Sequence, residues 1–216
     1  MTLAGDIEAE RVALTSSLSA AGASAPAGCG SWTARDLAAH LAAEERLGGV
    51  STFIARSLVA RGITVPAPTR LVEFAIRREH RYGFTELIDR LGRPLPRLLL
   101  RSPVAPLTLF EYWTHHDDLA AANGADHPAP ATLQQAIAPL LRYQHTKLPV
   151  GAALRVSTDD GHVLAAVGPQ TEQAVLVRGT PANLVRWLAG RQTRADVELT
   201  GPAVHVQALR TFTGHV

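Results

Sequence analysis

The spacing of apolar residues changes once along this chain of 216 residues, near Pro149. Before that point apolar side chains recur every three or four residues, which is typical of amphipathic helices. After it they alternate in two short runs, Ala153–Thr158 and His162–Val167, joined by Asp-Asp-Gly, which predicts a β-hairpin. The chain is therefore expected to be α+β, with a helical domain at 1–149 and a small α+β domain at 150–216.

The helical part is long enough for an antiparallel four-helix bundle with a substantial core. Its predicted helices cover residues 2–21, a segment beginning after Thr33, and 50–61, 69–91, 108–123 and 131–146. Thr33 and Asp36 have the spacing of a capping box at the start of the second helix. In the smaller part, strands are predicted at 173–178 and 197–200, and helices at 181–189 and 202–212.

Composition excludes several classes of function. The formal charge is only +2 and is scattered, which argues against a nucleic-acid partner. No window is apolar enough for a transmembrane helix, and the N-terminus lacks the pattern of a secretory signal. Cys29 is the only cysteine, so no internal disulfide can form. A cytoplasmic protein that does not bind membranes is expected.

The predicted helix Thr108–Asn123 carries Glu111 and His115 four residues apart. This spacing places both side chains on one face of the helix, where a divalent metal could bind them. A structural explanation is also available. Thr108 and Glu111 fit a capping box, and His115 would then be an ordinary hydrogen-bonded residue of the bundle. The pair alone does not decide between these alternatives.

A third ligand would favour the metal site, and His40 is the candidate. It lies beside the apolar stripe of the second helix and has no charged neighbour within three residues. His80 stands in a charged run and is expected to be solvated, and His116 should point away from His115 because successive helical residues are about 100° apart. A buried histidine satisfied by hydrogen bonds is the alternative for His40.

Three stretches resemble the mycothiol-dependent maleylpyruvate isomerase family, which has a DinB-like metal-binding bundle. The run C-G-S-W-T-A-R-D-L-A-A-H-L at 29–41 resembles the second-helix signature of that family. The run E-Y-W-T-H-H-D-D at 111–118 resembles its E-x-x-x-H segment. The tail at 175–201 resembles the sterol-carrier-like domain often attached to these bundles. The resemblance spans nearly the whole chain.

The resemblance implies that His40, Glu111 and His115 bind the metal. Two histidines and one carboxylate, without evidence of redox chemistry, favour zinc. The resemblance also implies mycothiol as cofactor, bound as a thiolate for isomerisation of, or sulfur transfer to, a small electrophilic substrate. Arg191 and Arg194 are candidate catalytic residues for an anionic substrate, if they are not simply exposed arginines.

Two other functions fit the same sequence. A hydrolase would use the same three ligands to activate water. A binding module would hold an apolar ligand in a tunnel lined by Val163, Val175 and Leu184, with the bundle as a scaffold. Cys29 is interpreted as a small buried thiol outside the site.

Overall fold

The computed structural model describes residues 2–63, 74, 76–145, 153–171 and 173–210, without the side chains of residues 47 and 48. The chain divides into two compact units. Unit 1 spans Met1–Ser57 and Val65–Pro130, and unit 2 spans Leu58–Thr64 and Ala131–Val216. The domain boundary predicted between residues 149 and 150 stays a prediction.

Unit 1 is helical. Its helices are α1 (Leu3–Ala21), α2 (Ala34–Glu45), α3 (Val50–Ala60, with its last turn in unit 2), α4 (Phe84–Leu91) and α5 (Ala105–Ala122). Helix α1 packs against α5, and α2 packs against α4. Fully buried leucines on these helices contribute about 1.5–3 kcal/mol each by leaving water, and they include Leu14, Leu18, Leu37, Leu41, Leu87, Leu91 and Leu109.

The start of α2 is the predicted capping box. The Thr33 hydroxyl accepts from the Asp36 backbone N–H, and the Asp36 carboxylate accepts from the Thr33 backbone N–H at 2.7 Å. These bonds satisfy backbone donors that the first turn of a helix leaves without partners. Helix α2 therefore begins where the sequence predicts, and His40 lies near its middle.

The central helix begins earlier than predicted. Helix α5 starts at Ala105 with Pro106 in its first turn, where proline is tolerated because the missing N–H has no helical acceptor there. Thr108 is consequently inside the helix, and its hydroxyl donates to Val104 O at 3.3 Å. The capping-box explanation of Thr108 and Glu111 is therefore wrong, and Glu111 is free to face another helix.

The long helix predicted at 69–91 lies partly outside the described residues. Residues 76–79 are helical, but residues 80–82 form a turn and Gly83 is extended at the start of α4. A continuous helix through this region is therefore wrong, because Gly83 acts as an N-cap and not as an interior residue. No helix in the described part of the chain is long and apolar enough to cross a membrane.

Unit 2 contains a four-stranded sheet in the order β2-β1-β3-β4. Its strands are β1 (Leu154–Ser157), β2 (Val163–Val167), β3 (Val175–Arg178) and β4 (Glu198–Thr200). Strands β1 and β2 form the predicted antiparallel hairpin, β1 pairs parallel with β3, and β3 pairs antiparallel with β4. The α+β fold class is confirmed.

Helices complete unit 2. They are α6 (Ile137–His145), which follows a 3-10 helix at Ala131–Ala136, α7 (Pro181–Leu188) and α8 (Ala203–Arg210). Thr180 caps α7, and Pro181 occupies its first position as predicted. Of the residues predicted to line an apolar tunnel, Val175 and Leu184 are buried, whereas Val163 is 49% exposed.

Candidate metal centre

His40 on α2 and the pair Glu111 and His115 on α5 come together in unit 1. Glu111 Oε1 lies 3.1 Å from His40 Nε2 and 3.1 Å from His115 Nε2. One Glu111 oxygen thus accepts a hydrogen bond from each imidazole. The three side chains are 11–18% exposed, so they are largely shielded without being sealed from solvent. Two separate helices therefore direct three potential ligand atoms toward one point.

This donor set fits a divalent transition metal. Two ligands of a tetrahedral zinc ion, each about 2.0–2.1 Å from it, are about 3.3–3.4 Å apart. The two nitrogen–oxygen distances of 3.1 Å are close to that separation. Three protein ligands would also leave a fourth position for a further ligand, as in catalytic zinc sites.

The pKa of Glu111 favours metal binding, whereas the pKa of His40 means that a metal ion would have to compete with a proton there. Burial raises the pKa of Glu111, but hydrogen bonds from His115 and His40 outweigh it, so the pKa lies well below its ordinary value. Burial lowers the pKa of His40, but the nearby carboxylates of Glu44 and Glu111 outweigh it, and the pKa is raised. Glu111 is consequently an anion at neutral pH, as a metal ligand must be.

A buried arginine lies beside the carboxylates of this site and offsets their negative charge. Arg56 on α3 is 8% exposed, and its Nη2 lies 2.7 Å from Glu44 Oε2 and 3.9 Å from Glu111 Oε2. Its Nη1 donates to the Thr108 hydroxyl at 3.0 Å. Sequence reasoning missed Arg56 and Glu44, because no motif connects either of them with the ligands.

The second nitrogen of His115 faces Cys29. The Cys29 Sγ lies 3.3 Å from His115 Nδ1 and 3.4 Å from Asp118 Oδ2. The Trp32 ring lies 5.3 Å from the His40 ring and 6.4 Å from the His115 ring, centroid to centroid. Metal-binding histidines commonly donate their other N–H to a fixed acceptor, and Cys29 is placed to be that acceptor. Its interpretation as a thiol outside the site missed this contact.

The two candidate catalytic arginines belong to unit 2. Arg191 lies shortly after α7, where its guanidinium donates to Ala189 O, and Arg194 ends a short 3-10 turn. Both side chains are partly exposed. Their role in catalysis stays a prediction.

No protein-family model and no curated protein matches this chain. Among solved structures, the crystal structure of a mycothiol-dependent maleylpyruvate isomerase matches with a TM-score of 0.61 and 16% sequence identity, over 95% of this chain and 96% of that chain. A histidine-to-alanine mutant of such an isomerase gives the same values. The chain has the fold of that isomerase. The resemblance noted in the sequence is thereby confirmed for the fold, across nearly the full length of both chains.

Proposed function

We propose that this protein is a zinc-dependent enzyme that uses a low-molecular-weight thiol, such as mycothiol, on a small electrophilic substrate. The observation that carries the proposal is the convergence of His40 Nε2, Glu111 Oε1 and His115 Nε2. The shared fold with a mycothiol-dependent isomerase supports the choice of a thiol as the fourth ligand. The reaction would be an isomerisation of an activated double bond or a transfer of sulfur to the electrophile.

The residues of the site would have distinct roles. A bound zinc ion would favour the deprotonated form of the thiol. Glu111 would supply a negative charge that balances the charge of this ion, since its pKa lies well below the ordinary value. Arg56 would hold Glu44 and limit the repulsion between Glu44 and Glu111. Cys29 would fix the orientation of the His115 ring by accepting from Nδ1.

Arg191 and Arg194 are proposed to recognise a carboxylate on the substrate. A guanidinium can bind a carboxylate through two parallel hydrogen bonds, which suits small anionic electrophiles. Replacing either arginine with methionine should raise KM for an anionic electrophile and leave the zinc content unchanged. A variant with normal KM would remove that arginine from the proposal.

The test combines metal analysis with a thiol-dependent assay. We expect the wild-type protein to bind zinc and to isomerise maleylpyruvate, or consume another small electrophile, only when mycothiol is added. His40→Ala should reduce both zinc binding and turnover. His80→Ala is the matched control, because His80 is not one of the proposed ligands. Its Nε2 instead lies 3.1 Å from Asp36 Oδ1.

Three results would contradict the proposal. Ester or amide hydrolysis without any thiol would favour the hydrolase with metal-activated water. Zinc content that is unchanged in His40→Ala would remove His40 from the metal site. Tight binding of an apolar ligand by a protein without zinc would favour the binding module.

A further inference from the structure

A second group of two histidines and one carboxylate lies elsewhere in unit 1. Glu10 on α1, His116 on α5 and His127, in the segment after α5, form this cluster. Glu10 Oε1 lies 2.7 Å from His116 Nδ1 and 2.7 Å from His127 Nε2. The side chains of all three residues are only 8–9% exposed. The cluster is therefore more deeply buried than the candidate metal centre.

The sequence places two adjacent histidines in two different clusters. His115 contributes Nε2 to the first group, and His116 contributes Nδ1 to the second. Because successive residues of a helix are about 100° apart, the two rings leave α5 in different directions. Each group consists of two imidazoles and one carboxylate, which is a donor set that zinc accepts.

The ring nitrogen of His116 that does not contact Glu10, Nε2, has a hydrogen-bond partner of its own. Ser17 Oγ lies 2.8 Å from His116 Nε2. The neighbouring hydroxyls of Thr15 and Ser16 behave differently, because each donates to the backbone carbonyl four residues earlier on α1. Ser17 is thus positioned to orient the imidazole, as the outer partners of metal-binding histidines do.

The position of His127 is set by contacts outside the cluster. The Trp113 Nε1–H donates to Pro128 O at 3.1 Å, next to His127 in the chain. The Trp113 ring also lies 6.2 Å from the His127 ring, and the His116 and His127 rings lie 3.8 Å apart. Trp113 is fully buried, so this anchor is part of the core. The three ligand atoms are therefore held together by the fold itself.

We propose that Glu10, His116 and His127 bind a second divalent transition-metal ion, of which zinc is the representative. A cation here would compensate the burial of a carboxylate and two imidazoles, which is costly when charges remain unbalanced. It would connect α1, α5 and the segment that carries His127. As at the candidate metal centre, three protein ligands would leave one position of a zinc ion for a further ligand. This proposal does not depend on the proposed enzymatic function.

The test is the zinc stoichiometry of the full chain after saturation and removal of free metal, measured by elemental analysis. We expect two zinc ions per wild-type chain, one in His40→Ala, one in His127→Gln and none in the double variant. His80→Gln should retain two and is the matched control. One zinc ion in the wild type, lost in His40→Ala and unchanged in His127→Gln, would overturn the second site and leave the first intact.

A second variant keeps the test decisive if His127→Gln does not fold. In the His40→Ala background, Ser17→Ala keeps every ligand of the second site but removes the partner of His116 Nε2. We expect zinc affinity to fall by about 10–100-fold, the usual effect of losing such a partner. Ser16→Ala, whose hydroxyl binds only backbone, should leave the affinity unchanged. Absence of zinc binding in the His40→Ala background, or equal zinc affinities of Ser17→Ala and Ser16→Ala, would contradict zinc coordination by His116.

Discussion

Arg56 shows how much of the candidate metal centre depends on single residues that are not ligands. It is a buried cation between two carboxylates, Glu44 and Glu111, and it also binds the Thr108 hydroxyl. Burial raises the pKa of Glu44, and the charge of Arg56 opposes that rise. Without the arginine, two partly buried carboxylates would repel each other across the site.

Replacing Arg56 should therefore destabilise the metal-free protein. We expect Arg56→Met to lower the free energy of unfolding by about 2 kcal/mol, because it leaves the partly buried Glu44 carboxylate without its cation. Urea denaturation in the presence of a chelator measures this. Arg56→Lys keeps the positive charge but not the planar guanidinium, and it should lose less stability than Arg56→Met. Equal stability of Arg56→Met and wild type would contradict the assigned role.

At the scale of elements, the loop between α1 and α2 is held against α5 at Gly28. A Cβ atom at Gly28 would lie 2.3 Å from the backbone oxygen of Asp118, and φ is +77°. At Gly30, φ is also positive, at +57°, but a Cβ would meet no atom within 4 Å. The two glycines share a conformation that other residues rarely adopt, and only Gly28 is needed for a close approach.

Gly28 and Gly30 permit a matched comparison of the stability lost on substitution by alanine. Gly28→Ala should destabilise the protein by at least about 2 kcal/mol more than Gly30→Ala, because the alanine must displace the backbone of a neighbouring helix as well as adopt a strained φ. Chemical denaturation of both variants gives the difference. Similar losses in the two variants would mean that the loop does not depend on this contact.

The capping box of α2 predicts a pH dependence. Burial raises the pKa of Asp36, but hydrogen bonds from the Thr33 hydroxyl and backbone N–H outweigh it and hold the pKa below its ordinary value of 3.8. A lowered pKa contributes stability above the unfolded-state pKa, and this stability is lost as pH falls through the folded-state pKa.

Asp36→Asn removes this titration. We expect the variant to be about 1 kcal/mol less stable than wild type at about pH 6, a typical loss for a helix cap. The difference should narrow as pH falls below the ordinary pKa of 3.8, because wild-type Asp36 then binds a proton. Urea denaturation across this range measures it. A difference that is constant with pH would exclude the carboxylate as the source.

The elements also show what the sequence could predict. Local signals were sufficient for α2, the β1–β2 hairpin and the Thr180 cap, because each depends on residues close together in the chain. The start of α5 was mispredicted because Thr108 and Glu111 imitate a cap, whereas Pro106 already lies in the helix. The break at Gly83 was missed because the apolar period continues across it.

The residues of the candidate site could likewise be predicted only in part from the sequence. The spacing of Glu111 and His115 is a helical signal, the apolar surroundings of His40 made it the candidate third ligand, and the family resemblance supported all three. The contacts of Arg56 and Cys29 join residues 52 and 86 positions apart, so only the folded chain reveals them. The same holds for Glu10, which meets His116 and His127 across more than 100 positions. No sequence period encodes such pairs.

For the whole molecule, metal binding should be a source of stability confined to the elements that carry the ligands. A ligand that binds only the folded state stabilises it by about 2.7 kcal/mol at a concentration 100 times its dissociation constant. Amide hydrogen exchange with and without zinc should therefore show slower exchange in α1, α2 and α5 when zinc is bound. The sheet β1–β4 supplies no residue to either proposed site and should be unchanged. Slowing in the sheet alone would contradict this assignment.

X-ray absorption at the zinc edge, on loaded wild-type protein without added thiol, tests the central claim most directly. Convergence of His40, Glu111 and His115 on one ion predicts only nitrogen and oxygen neighbours at about 2.0–2.2 Å, with imidazole scattering. A sulfur neighbour at about 2.3 Å would contradict it. That result would place the ion on the adjoining group of Cys29, His115 and Asp118.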